Sequence, residues 1–184
     1  LLILFFSKEI LPQSFPIIIN IAEQETKAAV QLEQESEKNG ADGIMLLPPM
    51  LYKADDHETL EFFITVAEST SLPIMIYNNP IDYKIMVTLD MFEALAPYAN
   101  IQAVKESTRD VTNVTRMFNR FGKRYKVLTG VDPLAMESLC MGADGWVAGL
   151  VDAFPRETVA IYHLIKAGQI KEALAIYRWF LPVL

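Results

Sequence analysis

The chain has 184 residues, 52% apolar and 21% charged, which suits one domain with a sizeable core and excludes a disordered segment. A net charge of −7 argues against a nucleic-acid surface, which needs clustered Lys and Arg. A single cysteine, Cys140, excludes an internal disulfide and points to a reducing cytoplasm, and two unclustered histidines, His57 and His163, give no metal site.

The N-terminal Leu1-Leu2-Ile3-Leu4-Phe5-Phe6 is apolar but far shorter than the ~20 residues of a membrane span. It has no basic leader or small-residue cleavage site, so no membrane or secretory role is expected. Residues 1–14 stand apart as an atypical segment, and a first residue other than Met suggests a piece of something longer. Phe15-Pro16-Ile17-Ile18-Ile19-Asn20 then predicts a buried strand. A helix over 25–38 follows, with Ala28, Ala29 and Leu32 inward, stopped at Asn39-Gly40. Ile44 to Pro49 is the next strand, and 55–69 a helix with Leu60, Phe63, Ile64 and Ala67 at helical spacing.

Residues 73–77 form the third strand, and Thr88 reads as the N-cap of a helix to Ala96. The fourth strand, Ile101-Gln102-Ala103-Val104-Lys105, precedes a helix over 110–121 that ends near Gly122. The fifth spans 125–129, followed by a helix over 133–141; Cys140 lies in it between Leu139 and Met141 and is expected to be packed. The sixth strand is placed at 146–150, and helices over 155–166 and 170–180 finish the chain.

Strict alternation of strand and helix, with apolar strands, predicts a parallel sheet covered by helices. Gly40-Ala41-Asp42-Gly43 recurs 102 residues later as Gly142-Ala143-Asp144-Gly145. Four βα units of about 26 residues fill that interval, near the ~31 per unit of a ~250-residue eightfold barrel. A doubly wound sheet competes, without a Gly-x-Gly-x-x-Gly turn after any strand to support a nucleotide site. In either fold the site lies at the C-terminal ends of the strands.

Two of those ends carry chemistry. Lys105 follows a covered strand, where burial disfavours an ammonium and favours a nucleophilic amine; the competing reading is a rim lysine paired with Glu106 or Asp132. Tyr77, closing Pro73-Ile74-Met75-Ile76, offers a phenol to move a proton; it also reads as a core-edge tyrosine hydrogen-bonded to backbone. Asn78-Asn79-Pro80 is a turn that could orient a substrate, and Gly130 either admits a ligand or makes a tight turn.

These residues resemble the dihydrodipicolinate synthase and N-acetylneuraminate lyase family of Schiff-base aldolases. The motifs are Tyr77-Asn78-Asn79-Pro80, Val104-Lys105-Glu106-Ser107 28 residues beyond Tyr77, Gly40-Ala41-Asp42-Gly43 through Pro48-Pro49, and Gly130-Val131-Asp132. The resemblance runs from about Phe15 to the C-terminus. It implies a (β/α)8 TIM barrel, here incomplete with six βα units and extra C-terminal helices, in a homotetramer. It implies that Lys105 forms an imine with pyruvate or a related 2-oxo acid, with Tyr77 as proton carrier. Gly130 and Val147 would line the pocket, and no metal or dissociable cofactor would be needed.

Three departures shape the expectation. The family's early Gly-Thr-Thr-Gly-Glu loop is absent, and six strands match the third to eighth of the barrel, which suggests a truncated member. Asp82 stands where the synthase branch has an arginine, and Met50-Leu51, with Tyr52 one step late, stand where it has an aromatic pair. The expectation is therefore a lyase for another 2-oxo acid or a cyclic imino acid, with a non-catalytic remnant or binding module as the alternative.

Overall fold

Short strands alternate with helices in the computed structural model, which describes residues 2–12, 14–50 and 52–183. The strands are β1 (Ile18–Ile21), β2 (Gly43–Leu46), β3 (Ile74–Asn78), β4 (Ile101–Glu106), β5 (Lys126–Thr129) and β6 (Gly145–Trp146), following one another in sequence order. The helices are α1 (Leu2–Ile10), α2 (Thr26–Lys38), α3 (Asp56–Ser69), α4 (Pro80–Tyr83), α5 (Leu89–Leu95), α6 (Thr112–Phe121), α7 (Ala135–Cys140), α8 (Pro155–Lys166) and α9 (Ile170–Phe180). The chain divides into two compact units, Leu1–Val104 and Lys105–Leu184.

In the first unit, β1, β2 and β3 pair in parallel and their register sorts side chains into rows. Ile21, Leu46 and Ile76 share one row and are wholly buried, whereas Asn20, Met45 and Met75, one residue back, share a row that stays half-buried or exposed. Period-two alternation thus gives the sheet one closed face and one accessible face, and Tyr77 continues the accessible one. Helix α3 begins with a capping box: Asp55 accepts from the Glu58 amide at 2.8 Å and Glu58 from the Asp55 amide at 3.2 Å. It buries Phe62, Phe63, Val66 and Ala67, each aromatic contributing about 2–3 kcal/mol of transfer free energy. Thr88 caps α5 as expected, accepting from the Met91 amide at 3.3 Å.

The apolar start, for which no element is predicted, is a helix, α1, with Leu4 buried and Ile3, Phe5, Phe6 and Ile10 exposed. Two local expectations are corrected here. The buried face of α2 is Ala29, Glu33 and Ser36, not Ala28, Ala29 and Leu32. The turn after β3 is a short helix, α4, because Pro80 presets its first turn and the Asn79 side chain caps it.

In the second unit, Leu128 and Thr129 of β5 pair with Gly145 and Trp146 of β6. Strand β6 stops at Trp146 instead of reaching Leu150. The amides of Gly149 and Leu150 are drawn to the Asp132 carboxylate, at 3.3 and 2.9 Å, so that stretch turns away into a 3-10 turn. The expected helix over 133–141 is a 3-10 turn, Asp132–Leu134, followed by α7. Cys140, expected to be packed, is exposed at the end of α7. Helices α8 and α9 pack together, with Ile161, Ile165, Ala173, Tyr177 and Phe180 buried.

The repeated tetrapeptide does the same work in both units. Gly40 and Gly142 take φ of +85° and +103°, which ends the preceding helix and which only glycine adopts cheaply. Asp42 then accepts from the Ile17 amide at 2.8 Å, and Asp144 from the Val127 amide at 2.9 Å. Each aspartate also holds a lysine, Lys8 at 2.7 Å and Lys126 at 3.1 Å. The repeat is a joint that ties each new strand to the previous one.

Candidate active site

Tyr77 is the penultimate residue of β3 and half-buried on the accessible face. Its ring meets the Tyr83 ring edge-on at 5.3 Å, and the two phenols are hydrogen-bonded. The Asn79 amide donates to the Tyr77 hydroxyl at 3.3 Å and to Asp82 at 2.7 Å. Burial first, then the neighbouring Tyr77, pushes the Tyr83 phenol above its ordinary range. Asn78 points the other way. It is fully buried, donating to the Val87 carbonyl and accepting from the Val87 amide, both at 3.0 Å, so it fixes the loop that carries Tyr83.

Lys105 is half-buried and penultimate in β4. The alternation places Val104 and Glu106 on the closed face and Ala103 and Lys105 on the other. Glu106 accepts from the Thr108 amide at 2.8 Å and from the Asn113 side chain at 2.7 Å, which fastens the end of β4 to α6. Its carboxyl is held above the ordinary range by burial, against the pull of those hydrogen bonds. Asp132 accepts from Trp146 Nε1 at 2.9 Å as well as from the two amides after β6. Both carboxylates thus accept hydrogen bonds from neighbouring amides and side chains.

Gly130 lies directly against Lys105. A β-carbon there would fall 2.7 Å from Lys105 Cε and 2.8 Å from Cγ, and would overlap the Ser107 hydroxyl. Its amide donates to the Glu106 carbonyl at 2.9 Å, so β5 delivers this glycine to the end of β4. The Val147 amide donates to the Thr129 carbonyl at 2.9 Å, and its side chain is half-buried just past β6. The structure therefore gathers Lys105, Ser107 and Gly130 in one unit, and Tyr77, Asn79, Asp82 and Tyr83 in the other.

Two of these residues were not singled out as site residues from the sequence. Ser107 has a readable signal, two residues past Lys105 and so of the same strand parity. Tyr83 has none, because only the α4 turn brings it back onto Tyr77. The late aromatic Tyr52 is 59% exposed and donates to Glu58 at 3.1 Å; Leu51 lies outside the described residues. Among the described residues no group of three His, Cys, Asp or Glu could hold a metal ion, and no helix is long and apolar enough to cross a membrane.

The dihydrodipicolinate synthetase family model matches residues 3–184, which takes in all of α1 but Leu2. The chain is 30% identical over 169 residues to the 4-hydroxy-tetrahydrodipicolinate synthase of Oceanobacillus iheyensis, covering 92% of this chain and 57% of that protein. It is 31% identical over 153 residues to the Aquifex aeolicus synthase, covering 83% and 52%. The solved 4-hydroxy-tetrahydrodipicolinate synthase of Methylacidiphilum fumariolicum SolV superposes with a TM-score of 0.94 at 28% identity, covering 98% of this chain and 60% of that one. A sialic acid aldolase of Ruminococcus gnavus shares the fold, with a TM-score of 0.87 at 23% identity and coverage of 92% and 57%. The chain thus spans a little under three fifths of these relatives' length, and its fold is an incomplete (β/α)8 barrel of six βα units. It belongs to the dihydrodipicolinate synthetase family.

Proposed function

We propose that this chain carries the imine-forming part of a Schiff-base lyase acting on pyruvate or a related 2-oxo acid. The observation that carries the reading is the placement of Lys105 at the end of β4 against a residue without a side chain, Gly130. The missing side chain at position 130 leaves room for the lysine stem.

The Lys105 nitrogen adds to the substrate's carbonyl carbon. Tyr77, backed by Tyr83, carries the proton to the carbinolamine oxygen, which leaves as water. The resulting protonated imine is the electron sink for making or breaking the bond beside it, so the covalent lysine adduct replaces any dissociable cofactor. Asn79 holds the Tyr77 hydroxyl, Gly130 and Val147 bound the substrate, and Asn78 positions the loop.

Asp82, exposed and hydrogen-bonded to Asn79, puts negative charge near the mouth of the turn. A second substrate bearing a carboxylate is repelled there, which favours another 2-oxo acid or a cyclic imino acid over dihydrodipicolinate synthesis. We read the complete protein as a homotetramer of the reducing cytoplasm, a reading that rests on the resemblance and on the lone cysteine.

Incubation with pyruvate and borohydride is expected to add a reduced pyruvyl group at Lys105, located by peptide mass spectrometry. An unmodified Lys105 in a protein with native circular dichroism overturns the reading and supports a binding module without turnover.

A further inference from the structure

Ser107 continues the face of β4 that carries Lys105 and is 2% exposed. Its hydroxyl is buried and has no hydrogen-bond partner among the described residues. The hydroxyl lies against Gly130, in the same gap that the Lys105 stem occupies. A buried hydroxyl without a partner costs about 1–3 kcal/mol, whereas an alanine would fill nearly the same space without that cost. Its partner is therefore sought outside the chain, in whatever enters the gap beside the lysine.

We propose that Ser107 is a further catalytic residue, donating a hydrogen bond to the oxygen on the substrate carbon that Lys105 attacks. This rests on the imine-forming reading of Lys105. In the first step the nitrogen–carbon bond forms, the carbonyl π pair moves to oxygen, and a proton released by the nitrogen passes to that oxygen. In the second, the carbon–oxygen bond breaks as the nitrogen lone pair forms the C=N bond, and the oxygen leaves as water with a second proton from nitrogen. An ammonium and a ketone thus give a protonated imine and one water, with no oxidant or reductant. Ser107 keeps its own proton throughout. It stabilises negative charge on the oxygen as the carbinolamine forms and again as the oxygen departs.

The test is the time course of borohydride trapping with pyruvate in the wild-type chain and in Ser107→Ala, alongside thermal melting. Trapping at Lys105 is expected to slow about tenfold in Ser107→Ala, with the melting temperature unchanged or higher. A merely structural serine would lower the melting temperature and leave the trapping rate of the folded fraction alone. Ser107→Cys, nearly the same shape with a much weaker donor, is expected to slow trapping as well and stands in if the alanine variant does not fold. Equal trapping rates in folded variants and wild type overturn the Ser107 assignment while leaving Lys105 as nucleophile. Absence of trapping in the wild type overturns both.

Discussion

Gly130→Ala tests the packing around the lysine most directly. The new methyl would sit 2.7 Å from Lys105 Cε and 2.8 Å from Cγ, about 1 Å inside ordinary carbon–carbon contact. Swinging the tip of Lys105 aside relieves the Cε clash but not the Cγ clash, because Cγ lies near the root of the side chain. The Ser107 hydroxyl blocks the remaining direction. Gly130 does not occupy the left-handed region, so backbone conformation adds nothing and the penalty is steric. Overpacking of this kind costs about 1–3 kcal/mol. Urea unfolding should show that loss, and borohydride trapping at Lys105 should fall more than tenfold as the stem is pushed off its path. In the double variant Gly130→Ala/Ser107→Gly, one of the three clashes is gone, so part of the stability returns and the two effects are non-additive. A Gly130→Ala protein that unfolds at the wild-type urea concentration and traps pyruvate at the wild-type rate refutes the geometry.

Asp132→Ala removes the acceptor for Trp146 Nε1 and for the amides of Gly149 and Leu150, and should cost roughly 2–3 kcal/mol in urea unfolding. A loss below about 0.5 kcal/mol contradicts the clamp. Asn78→Leu keeps the volume but leaves the Val87 amide and carbonyl unpaired, with an expected loss of about 2–4 kcal/mol by the same measurement. Glu33 is wholly buried on α2, and burial holds its carboxyl above the ordinary range. Its folded pKa exceeds the unfolded one, so stability falls as pH rises from the unfolded value through the folded value, and the deficit persists above it. Glu33→Gln should therefore match wild type near pH 4 and melt higher at pH 7; an unchanged difference across that range contradicts the assignment.

How far the fold was legible follows from which signals are local. Gly40 and Gly142 announce helix ends by themselves, Thr88 announces a helix start, and apolar runs announce strands, so the alternation of elements stands in the sequence. The end of β6 does not, because the competitor for the Gly149 and Leu150 amides is a carboxylate at position 132, seventeen and eighteen residues away. The buried face of α2 misleads for a related reason. Glu33 reads as a solvated residue until Ser69, at the end of α3, supplies a hydroxyl at 3.1 Å to its carboxylate. An exposed Cys140 reflects the same limit, since apolar neighbours in sequence say nothing about which face of a helix is covered.

The site divides along the same line. Lys105 is readable because chemistry singles out a lysine at the end of an apolar strand, and parity alone carries the argument on to Ser107. What parity cannot give is the reason a serine stands there. That reason needs the neighbouring strand, whose Gly130 leaves the gap in which the hydroxyl and the lysine stem lie together. Tyr77 shows the complementary case. Its motif is visible in sequence, but its phenol partner is Tyr83, brought over it by a turn that Pro80 begins and Asn79 caps. The proton transfer proposed for Tyr77 needs somewhere to send the proton, and a second phenol in contact provides it. Removing that phenol with Tyr83→Phe leaves the edge-on ring contact and takes away only the hydroxyl. Trapping at Lys105 should slow several-fold without a change in melting temperature, and an unchanged rate would leave Tyr83 a packing neighbour of Tyr77.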